Sequence, residues 1–152
     1  MGDILMFVGF VMLGFCGMEI ASYVLHRFIF HGILWDIHES HHRPAHGWFE
    51  MNDLFSLIFA MVSIGLIVWG SEDPLGSASF SIGTGIAVYG VLYFIIHDLF
   101  AHKRFMPFKS DSKIMQLIRR AHQRHHQSVD QEGQEPYGLF LFPYDKYKSD
   151  NR

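Results

Sequence analysis

The sequence predicts an all-α integral membrane protein: a helical bundle of about three transmembrane helices, with further helices at the cytoplasmic face that carry most of the histidines. Hydrophobic residues make up 49% of the 152 residues, which is high for a soluble chain of this length. Three long apolar stretches contain no lysine or arginine, and ten of the eleven histidines follow the first and third stretches in two similar blocks. A chain of this length supports one domain, which we place at 1–152.

The apolar stretches, at residues 4–25, 54–69 and 80–96, are the predicted transmembrane helices. At 1.5 Å per residue they reach roughly 33, 24 and 26 Å, compared with about 30 Å of hydrocarbon in a bilayer. Glu19 is the single charged residue within them. The alternative is a set of buried helices in a soluble protein. It is disfavoured because three such stretches leave too little polar sequence to cover them.

The distribution of charge predicts the orientation in the membrane. All twelve lysines and arginines lie in 27–43 and 103–152, whereas the N-terminal tip and the loop 70–79 carry only acidic residues. Because basic loops stay in the cytoplasm, we expect the N-terminus outside and both histidine blocks at the cytoplasmic face of the inner membrane. The start of the chain lacks a basic n-region and a cleavage pattern, so the first stretch is predicted to be an uncleaved signal anchor.

Each histidine block has the same pattern, an H-x-x-x-x-H pair followed by H-x-x-H-H, at 26–42 and 97–126. On a regular helix of about 100° per residue, the histidines of H-x-x-H-H lie on one arc of about 100°, which makes a metal-binding patch. The H-x-x-x-x-H rings point about 140° apart. Either the helix is distorted there, as Gly32 favours, or the two rings bind different metals.

Imidazole nitrogens bind zinc, copper, iron and nickel, and ten of them exceed the needs of one ion. We therefore expect two metals with four to six nitrogen ligands each. The predicted ligands are His26, His31, His38, His41, His42, His97, His102, His122, His125 and His126.

His46 is the histidine left over, and we predict that it is not a ligand. Pro44 and Gly47 interrupt the helix on either side of it. In the second block the equivalent position is Asp130.

Carboxylates are expected near the metals, because neutral imidazoles leave the charge of two divalent ions uncompensated. Asp98, adjacent to His97, and Glu39, inside the first H-x-x-H-H, are candidates to orient the rings. Glu19 lies seven residues before His26 and is a third candidate, since a carboxylate within a membrane span indicates function. The alternative for Glu19 is a hydrogen-bonded carboxyl group that bridges two helices.

An apolar stripe from Ile114 to Ala121 predicts an amphipathic helix at 112–127, which lies on the membrane surface or caps the bundle. The basic stretches Lys103–Arg104 and Arg119–Arg120 are expected to contact anionic lipid. Docking of an acidic ferredoxin is the second interpretation of these stretches. No nucleic-acid partner is expected.

Four runs of residues carry a resemblance to a known family: GMEIASYVLHRFIFHGILWDIHESHHRP, FEMNDLF, HDLFAHKRF and AHQRHH. They are similar to the bacterial β-carotene hydroxylases, within the fatty acid hydroxylase and sterol desaturase superfamily of membrane di-iron enzymes. The histidine boxes alone are shared with sterol and sphingolipid hydroxylases. The residues at 38–42 (HESHH) and 52–55 (NDLF) narrow the resemblance to the carotenoid branch. The resemblance covers nearly the whole chain.

The resemblance implies two iron ions, O2 and electrons from a reduced ferredoxin-type donor. It implies hydroxylation of the β-ionone ring at C3, which takes β-carotene through β-cryptoxanthin to zeaxanthin. Related members also accept 4-keto rings, as in the conversion of canthaxanthin to astaxanthin. A substrate dissolved in lipid needs a lipid-open groove, which we expect between the first and third spans, with Gly83 and Gly85 in its lining.

Two other functions remain as alternatives. The first is a hydroxylase or desaturase that acts on a fatty acyl, sphingolipid or sterol chain. The second is a membrane protein that transports or stores a divalent metal. Transport is disfavoured because it needs ligands near the middle of the bilayer, whereas every histidine here lies at or beyond one face.

Overall fold

The computed structural model describes residues 1–43 and 47–148. Within these ranges all regular secondary structure is helical, which confirms the predicted all-α class. His46 lies outside the described residues. The elements are α1 (Gly2–Leu25), π1 (His26–Ile33), α2 (Trp35–His42), α3 (Asp53–Trp69), α4 (Ala78–Tyr93), π2 (Phe94–Ala101), α5 (Lys113–His125) and α6 (Tyr144–Tyr147), where π1 and π2 are π-helical.

Two helices are long and apolar enough to cross a membrane. α1 continues into π1 as a helix of 32 residues, Gly2–Ile33, and α4 continues into π2 as a helix of 24 residues, Ala78–Ala101. Only 17% and 28% of their most apolar windows are buried, so most of their apolar side chains face outward, as in lipid-exposed helices. These two helices contain the predicted spans 4–25 and 80–96. The predicted span 54–69 coincides with α3, a shorter apolar helix, so the count of three stays a prediction.

The chain forms two compact units. The first contains Met1–Glu19 and Asp53–Leu92, and the second contains the described residues of 20–52 and 93–148. In the first unit, small residues let the helix backbones approach closely, as is usual between membrane helices. A Cβ added at Gly85 would overlap the backbone of α1, and one at Gly83 would overlap α3. The prediction that these two glycines line a groove is therefore wrong, because neighbouring helices already fill the space beside them.

Glu19 lies in the first unit and is 5% exposed. The hydroxyl of Tyr89 in α4 donates a hydrogen bond of 2.8 Å to the Glu19 carboxylate, and the ring of Tyr89 packs edge-on against Phe15. This bond connects α1 to α4. It favours the interpretation of Glu19 as a carboxyl group that bridges two helices, and a role beside the metals stays a prediction.

The amphipathic helix predicted at 112–127 is α5, in the second unit. Leu117, Ile118 and Ala121 of the predicted stripe are buried. Ile114, in the first turn, is 64% exposed, so the buried stripe begins one turn later than predicted. The buried face continues to His125 at the end of the helix, which places histidines of the second block in the interior.

Candidate metal centre

The ten block histidines form two clusters of five, both within the second unit. In each cluster, one ring nitrogen from every histidine lies within 4.8 Å of those of the other four. Cluster A contains His26, His31, His38, His42 and His125, and cluster B contains His41, His97, His102, His122 and His126.

Each cluster takes four histidines from one block and one from the other. The exchanged residue is the middle histidine of each H-x-x-H-H, which is His41 in the first block and His125 in the second. Around the axis of α2, His38 and His42 are about 40° apart, whereas His41 is about 100° from His42. The predicted patch on one face of the helix is therefore divided, and it contributes to both clusters.

The H-x-x-x-x-H pairs are brought together by the two π-helical segments. A π-turn joins residues five apart, and the backbone N–H of His102 accordingly donates to the carbonyl oxygen of His97 at 2.9 Å. The ring centroids of this pair are 4.6 Å apart, and those of His26 and His31 are 5.1 Å apart. Of the two alternatives, helix distortion is confirmed. Gly32 leaves helical geometry, with φ −113° and ψ −118°.

In cluster A every Nδ1–H donates a hydrogen bond to an oxygen atom. Four of the acceptors are backbone carbonyl groups of residues 128–137, and the fifth is the side chain of Asn52. The pairs are His26 with Tyr137 (2.8 Å), His31 with Gln131 (3.0 Å), His42 with Ser128 (2.9 Å), His125 with Gln134, and His38 with Asn52 (2.7 Å).

These bonds fix the tautomer of the cluster A rings. A carbonyl oxygen can only accept, so Nδ1 carries the proton and Nε2 of the neutral ring presents a lone pair. The Nε2 atoms of His26 and His38 are 3.0 Å apart, and those of His31 and His125 are 3.3 Å apart. Lone pairs that converge at such distances repel one another unless a cation lies between them. The donor set of cluster A therefore fits a metal ion.

Carboxylates lie behind the rings of cluster B. The Nδ1–H of His41 donates to Glu50 at 2.9 Å, and a carboxylate oxygen of Asp98 lies 3.6 Å from Nδ1 of His97. The second distance is too long for a hydrogen bond. Asp98 is adjacent to the cluster as predicted, but its hydrogen bond comes from Arg104 at 3.0 Å. Its role in orienting His97 stays a prediction.

The Nε2 atoms of cluster B also face inward. Those of His41 and His97 are 3.1 Å apart, and those of His102 and His122 are 2.6 Å apart. Nε2 of His126 is buried and has no hydrogen-bond partner within the described part of the chain. A buried polar atom without a partner calls for an explanation such as an ion, so cluster B fits a metal ion as well.

Burial lowers the pKa of several clustered histidines. Loss of hydration lowers the pKa of His38 to about 3 and that of His42 to about 4. The same cause lowers the pKa of His102 and of His125 to about 2. It also holds the pKa of His41 well below 6.5. These five rings are therefore in the unprotonated form that binds metals at neutral pH.

Glu50 and Asn52, which both contact rings of the first block, are not among the predicted site residues. They lie in the run FEMNDLF shortly before α3, and no helical spacing connects them to α2. Glu39, by contrast, was a candidate. Its carboxylate accepts a hydrogen bond of 2.6 Å from the exposed Arg43, and among the described residues no clustered histidine bonds to it.

Comparison with known proteins places these clusters in a family. Residues 11–148 match the fatty acid hydroxylase family. The chain is 39% identical to the beta-carotene hydroxylase of Pantoea ananas over 131 residues, which cover 84% of this chain and 72% of that protein. It is 42% identical to the beta-carotene hydroxylase of Pseudescherichia vulneris over 133 residues, which cover 85% and 73%.

A plant relative is longer. The chain is 40% identical to beta-carotene 3-hydroxylase 1, chloroplastic, of Arabidopsis thaliana over 131 residues, which are 84% of this chain but 41% of that protein. The chain thus spans about two fifths of the length of the plant relative. No solved structure matches the chain. Because the family match includes all ten clustered histidines and both apolar helices for most of their length, the chain is a membrane protein of the fatty acid hydroxylase family.

Proposed function

We propose that this chain is an oxygen-dependent hydroxylase that acts at C3 of the β-ionone ring of carotenoids. It converts β-carotene to β-cryptoxanthin and then to zeaxanthin. The observation that carries the proposal is the pair of five-histidine clusters, in a chain whose bacterial relatives are named beta-carotene hydroxylases.

We assign one iron ion to each cluster, with all ten clustered histidines as ligands. Imidazole nitrogen suits iron, zinc and copper alike, so the choice rests on the reaction. Two bound irons would supply the activation of O2 that hydroxylation of an unactivated C–H bond requires, whereas zinc has no redox chemistry.

The chain itself aims the rings. The carbonyl groups of 128–137 and the amide of Asn52 hold the cluster A rings with Nε2 inward. Glu50 does the same for His41 and adds a negative charge beside cluster B. Mutation of groups that hydrogen-bond to metal ligands typically lowers metal affinity or activity 10–100-fold. These groups are therefore part of the functional site together with the ligands.

We propose that a reduced ferredoxin-type protein supplies the electrons and that a ferredoxin reductase reduces it again after each transfer. Hydroxylation consumes O2, two electrons and two protons, because one oxygen atom enters the C–H bond and the other leaves as water. The exposed face of α5 and the nearby C-terminal residues support docking of an acidic donor there, since four cationic side chains line a cavity of about 550 Å³. They are Arg120, Arg124, Lys146 and Lys148.

The position of this cavity favours electron entry. Gln123 and Arg124 line it, while the neighbouring His122 and His125 of the same helix belong to the two clusters. A donor at the cavity would thus be separated from both clusters by about one helix diameter, roughly 10 Å. Salt should slow reduction by the donor, because charge attraction between exposed groups is screened within about 10 Å at 0.1 M ionic strength.

Two of the basic residues expected to contact lipid, Arg104 and Arg119, contact other side chains of the protein. The side chain of Arg104 is 10% exposed and pairs with Asp98. The guanidinium of Arg119 lies over the ring of Phe100 at 5.5 Å. Arg120 is exposed at the cavity, which favours the docking interpretation for that residue.

We propose that the protein lies in the inner membrane with its N-terminus outside and the histidine clusters on the cytoplasmic side. The confinement of lysine and arginine to 27–43 and 103–152 supports this orientation. A C-terminal green fluorescent protein fusion should fluoresce in cells, and a C-terminal alkaline phosphatase fusion should be inactive. The opposite pair of results would contradict the orientation.

Expression in a bacterium that accumulates β-carotene tests the function. Chromatography should show zeaxanthin in cells with the wild-type chain and unchanged β-carotene with His122→Ala. Arg43→Gln, which alters an exposed ion pair, should retain the conversion and serves as the matched control. Unchanged carotenoids together with newly hydroxylated fatty acyl, sphingolipid or sterol chains would contradict the carotenoid assignment and support the lipid alternative.

A further inference from the structure

We propose that Arg104 is a positioning residue for cluster B. Its guanidinium holds in place the two carboxylates, Glu50 and Asp98, that lie beside the Nδ1 atoms of His41 and His97. The proposal rests on the proposed binding of iron at this cluster. It extends that function by assigning the organisation of the second layer of cluster B to one side chain.

Arg104 contacts both carboxylates and the neighbouring backbone. Its Nη1 donates to Asp98 at 3.0 Å and lies 3.8 Å from the Glu50 carboxylate. Its Nη2 donates to the carbonyl oxygen of Trp48 at 3.0 Å, and its backbone N–H donates to the carbonyl oxygen of Asp98 at 2.8 Å. These contacts fix the guanidinium from two directions, because Trp48 precedes α3 and Asp98 belongs to π2.

The three charged groups are nearly buried. The side chains of Arg104, Glu50 and Asp98 are 10%, 8% and 12% exposed. A buried charge is tolerated when it is paired and hydrogen-bonded. Two carboxylates near each other would otherwise repel, and the planar guanidinium, with five donors, suits both of them. Arg104 thereby places a positive charge beside both carboxylates next to the cluster.

Each carboxylate is close to a ring of cluster B. Glu50 accepts the Nδ1–H of His41 at 2.9 Å. Asp98 lies 3.6 Å from Nδ1 of His97, a buried atom that has no hydrogen-bond partner in the described residues. Since Asp98 is drawn to the guanidinium at 3.0 Å, the position of Arg104 sets how far this carboxylate stands from the ring.

The backbone around Arg104 has an uncommon conformation. Lys103 and Phe105 have φ values of 58° and 53°, in the left-handed region that bulky residues rarely adopt. Such conformations persist where surrounding contacts maintain them, and they concentrate at functional sites. Here both flanking side chains are exposed while the side chain of Arg104 is buried. The conformation accompanies the inward placement of one cation between two outward residues.

Titration of the purified full chain in detergent with Co²⁺, in two backgrounds that each retain one intact cluster, tests the proposal. His125→Ala leaves cluster B complete, and His122→Ala leaves cluster A complete. With His125→Ala, the further change Arg104→Gln should weaken Co²⁺ binding 10–100-fold, the usual effect of removing support from ligand rings. Arg104→Lys should recover only part of the loss, because lysine keeps the positive charge but lacks the planar fork that matches carboxylates. With His122→Ala, both changes should alter affinity by less than about twofold.

Arg43→Gln is the matched control, since it removes an exposed guanidinium next to the ligand His42 and should have little effect in either background. Unchanged Co²⁺ affinity of the His125→Ala, Arg104→Gln chain would overturn the proposal. Equal weakening in both backgrounds would also overturn it, because that result indicates a general loss of structure. If Arg104→Gln fails to fold, Arg104→Lys carries the same comparison.

The titration is independent of the substrate. A chain that binds two Co²⁺ ions and shows the predicted effect of Arg104, yet hydroxylates no carotenoid, would contradict the proposed function and support this inference. A chain that hydroxylates carotenoids but loses no cluster B affinity with Arg104→Gln would do the reverse.

Discussion

The two histidine clusters have the same number of rings, but different groups stand behind them. In cluster A, four of the five Nδ1 acceptors are backbone carbonyl groups of residues 128–137. In cluster B, the carboxylates of Glu50 and Asp98 lie behind two of the rings. Carbonyl groups fix geometry without adding charge, whereas carboxylates also offset the positive charge of a metal.

Because of this difference, the two clusters should respond differently to substitution of nearby side chains. Every residue has a backbone carbonyl group, so cluster A should tolerate changes of side chain in 128–137 as long as the backbone keeps its path. Cluster B depends on the identity of particular side chains. Mutations should therefore separate the two clusters, and conditions that act on all the histidines should not.

Acidification should have the largest effect and should remove the difference between the clusters. Burial lowers the pKa of His38 to about 3, of His42 to about 4 and of His102 to about 2, compared with 6.5 in the unfolded chain. As pH falls below 6.5 the unfolded chain takes up protons that the folded chain excludes, so stability is lost. The melting temperature of the metal-free protein in detergent should fall between pH 7 and pH 4. A constant melting temperature over that range would contradict burial of the rings.

Replacement of Glu50 should affect cluster B alone. Glu50→Gln keeps the size of the side chain but removes the charge that faces His41, so cluster B should bind iron 10–100-fold more weakly. Asp98→Ala should act in the same direction and lower activity strongly, while the chain still inserts. Iron content and turnover measure both effects. Glu39→Gln, which removes an exposed ion pair with Arg43, is the control. An equal loss of iron and turnover in that variant would contradict a specific role of Glu50.

Gly133→Ala should affect cluster A alone, by moving the backbone. Gly133 has φ 60°, and a Cβ there would lie 2.6 Å from Nδ1 of His31, the atom that donates to Gln131. We expect about tenfold weaker iron binding at cluster A, at the lower end of the range for outer groups. Ser128→Ala keeps the carbonyl group that accepts from His42 and should change iron binding by less than about twofold. A larger loss in Ser128→Ala than in Gly133→Ala would refute the backbone account.

Much of the candidate site could be predicted from the sequence, because ligand type and spacing are local features. The ten histidines were identified from two repeated patterns, and the structure gathers all ten. The distortion at each H-x-x-x-x-H was one of two alternatives, and the π-turn at His97–His102 decides between them. The exchange of His41 and His125 was not predicted. Helix geometry places His41 about 100° from His42 around the axis of α2, which is compatible with two separate clusters. The sequence does not reveal which other histidines lie on each side of the helix.

Among the groups behind the rings, only Asp98 could be predicted, because it is adjacent to His97 in the sequence. Four acceptors in cluster A are carbonyl groups, which have no sequence signature because every residue has one. Glu50 and Asn52 reach α2 through a loop, where helical spacing gives no information about distance. Glu39, the carboxylate nearest in sequence, pairs instead with Arg43. Periodic sequence thus predicts residues on helices better than their partners in loops.

The smallest effect is expected at His46, the histidine outside both clusters. His46→Ala should keep both irons and most of the activity, whereas alanine at any clustered histidine should remove most activity. Iron quantitation beside carotenoid chromatography measures both. His42→Ala is the comparison, because His42 lies four residues earlier and belongs to cluster A. Comparable iron loss in the two variants would require a site built on eleven histidines.

The exchange of one histidine between the blocks is tested most directly by anomalous diffraction at the iron edge from crystals of the iron-loaded protein. We predict two iron peaks per chain. One should be within bonding distance, about 2 Å, of Nε2 of His125 and of first-block histidines, and the other within bonding distance of His41 and of second-block histidines. A single peak, or one peak bound by His38, His41 and His42 together, would contradict the account.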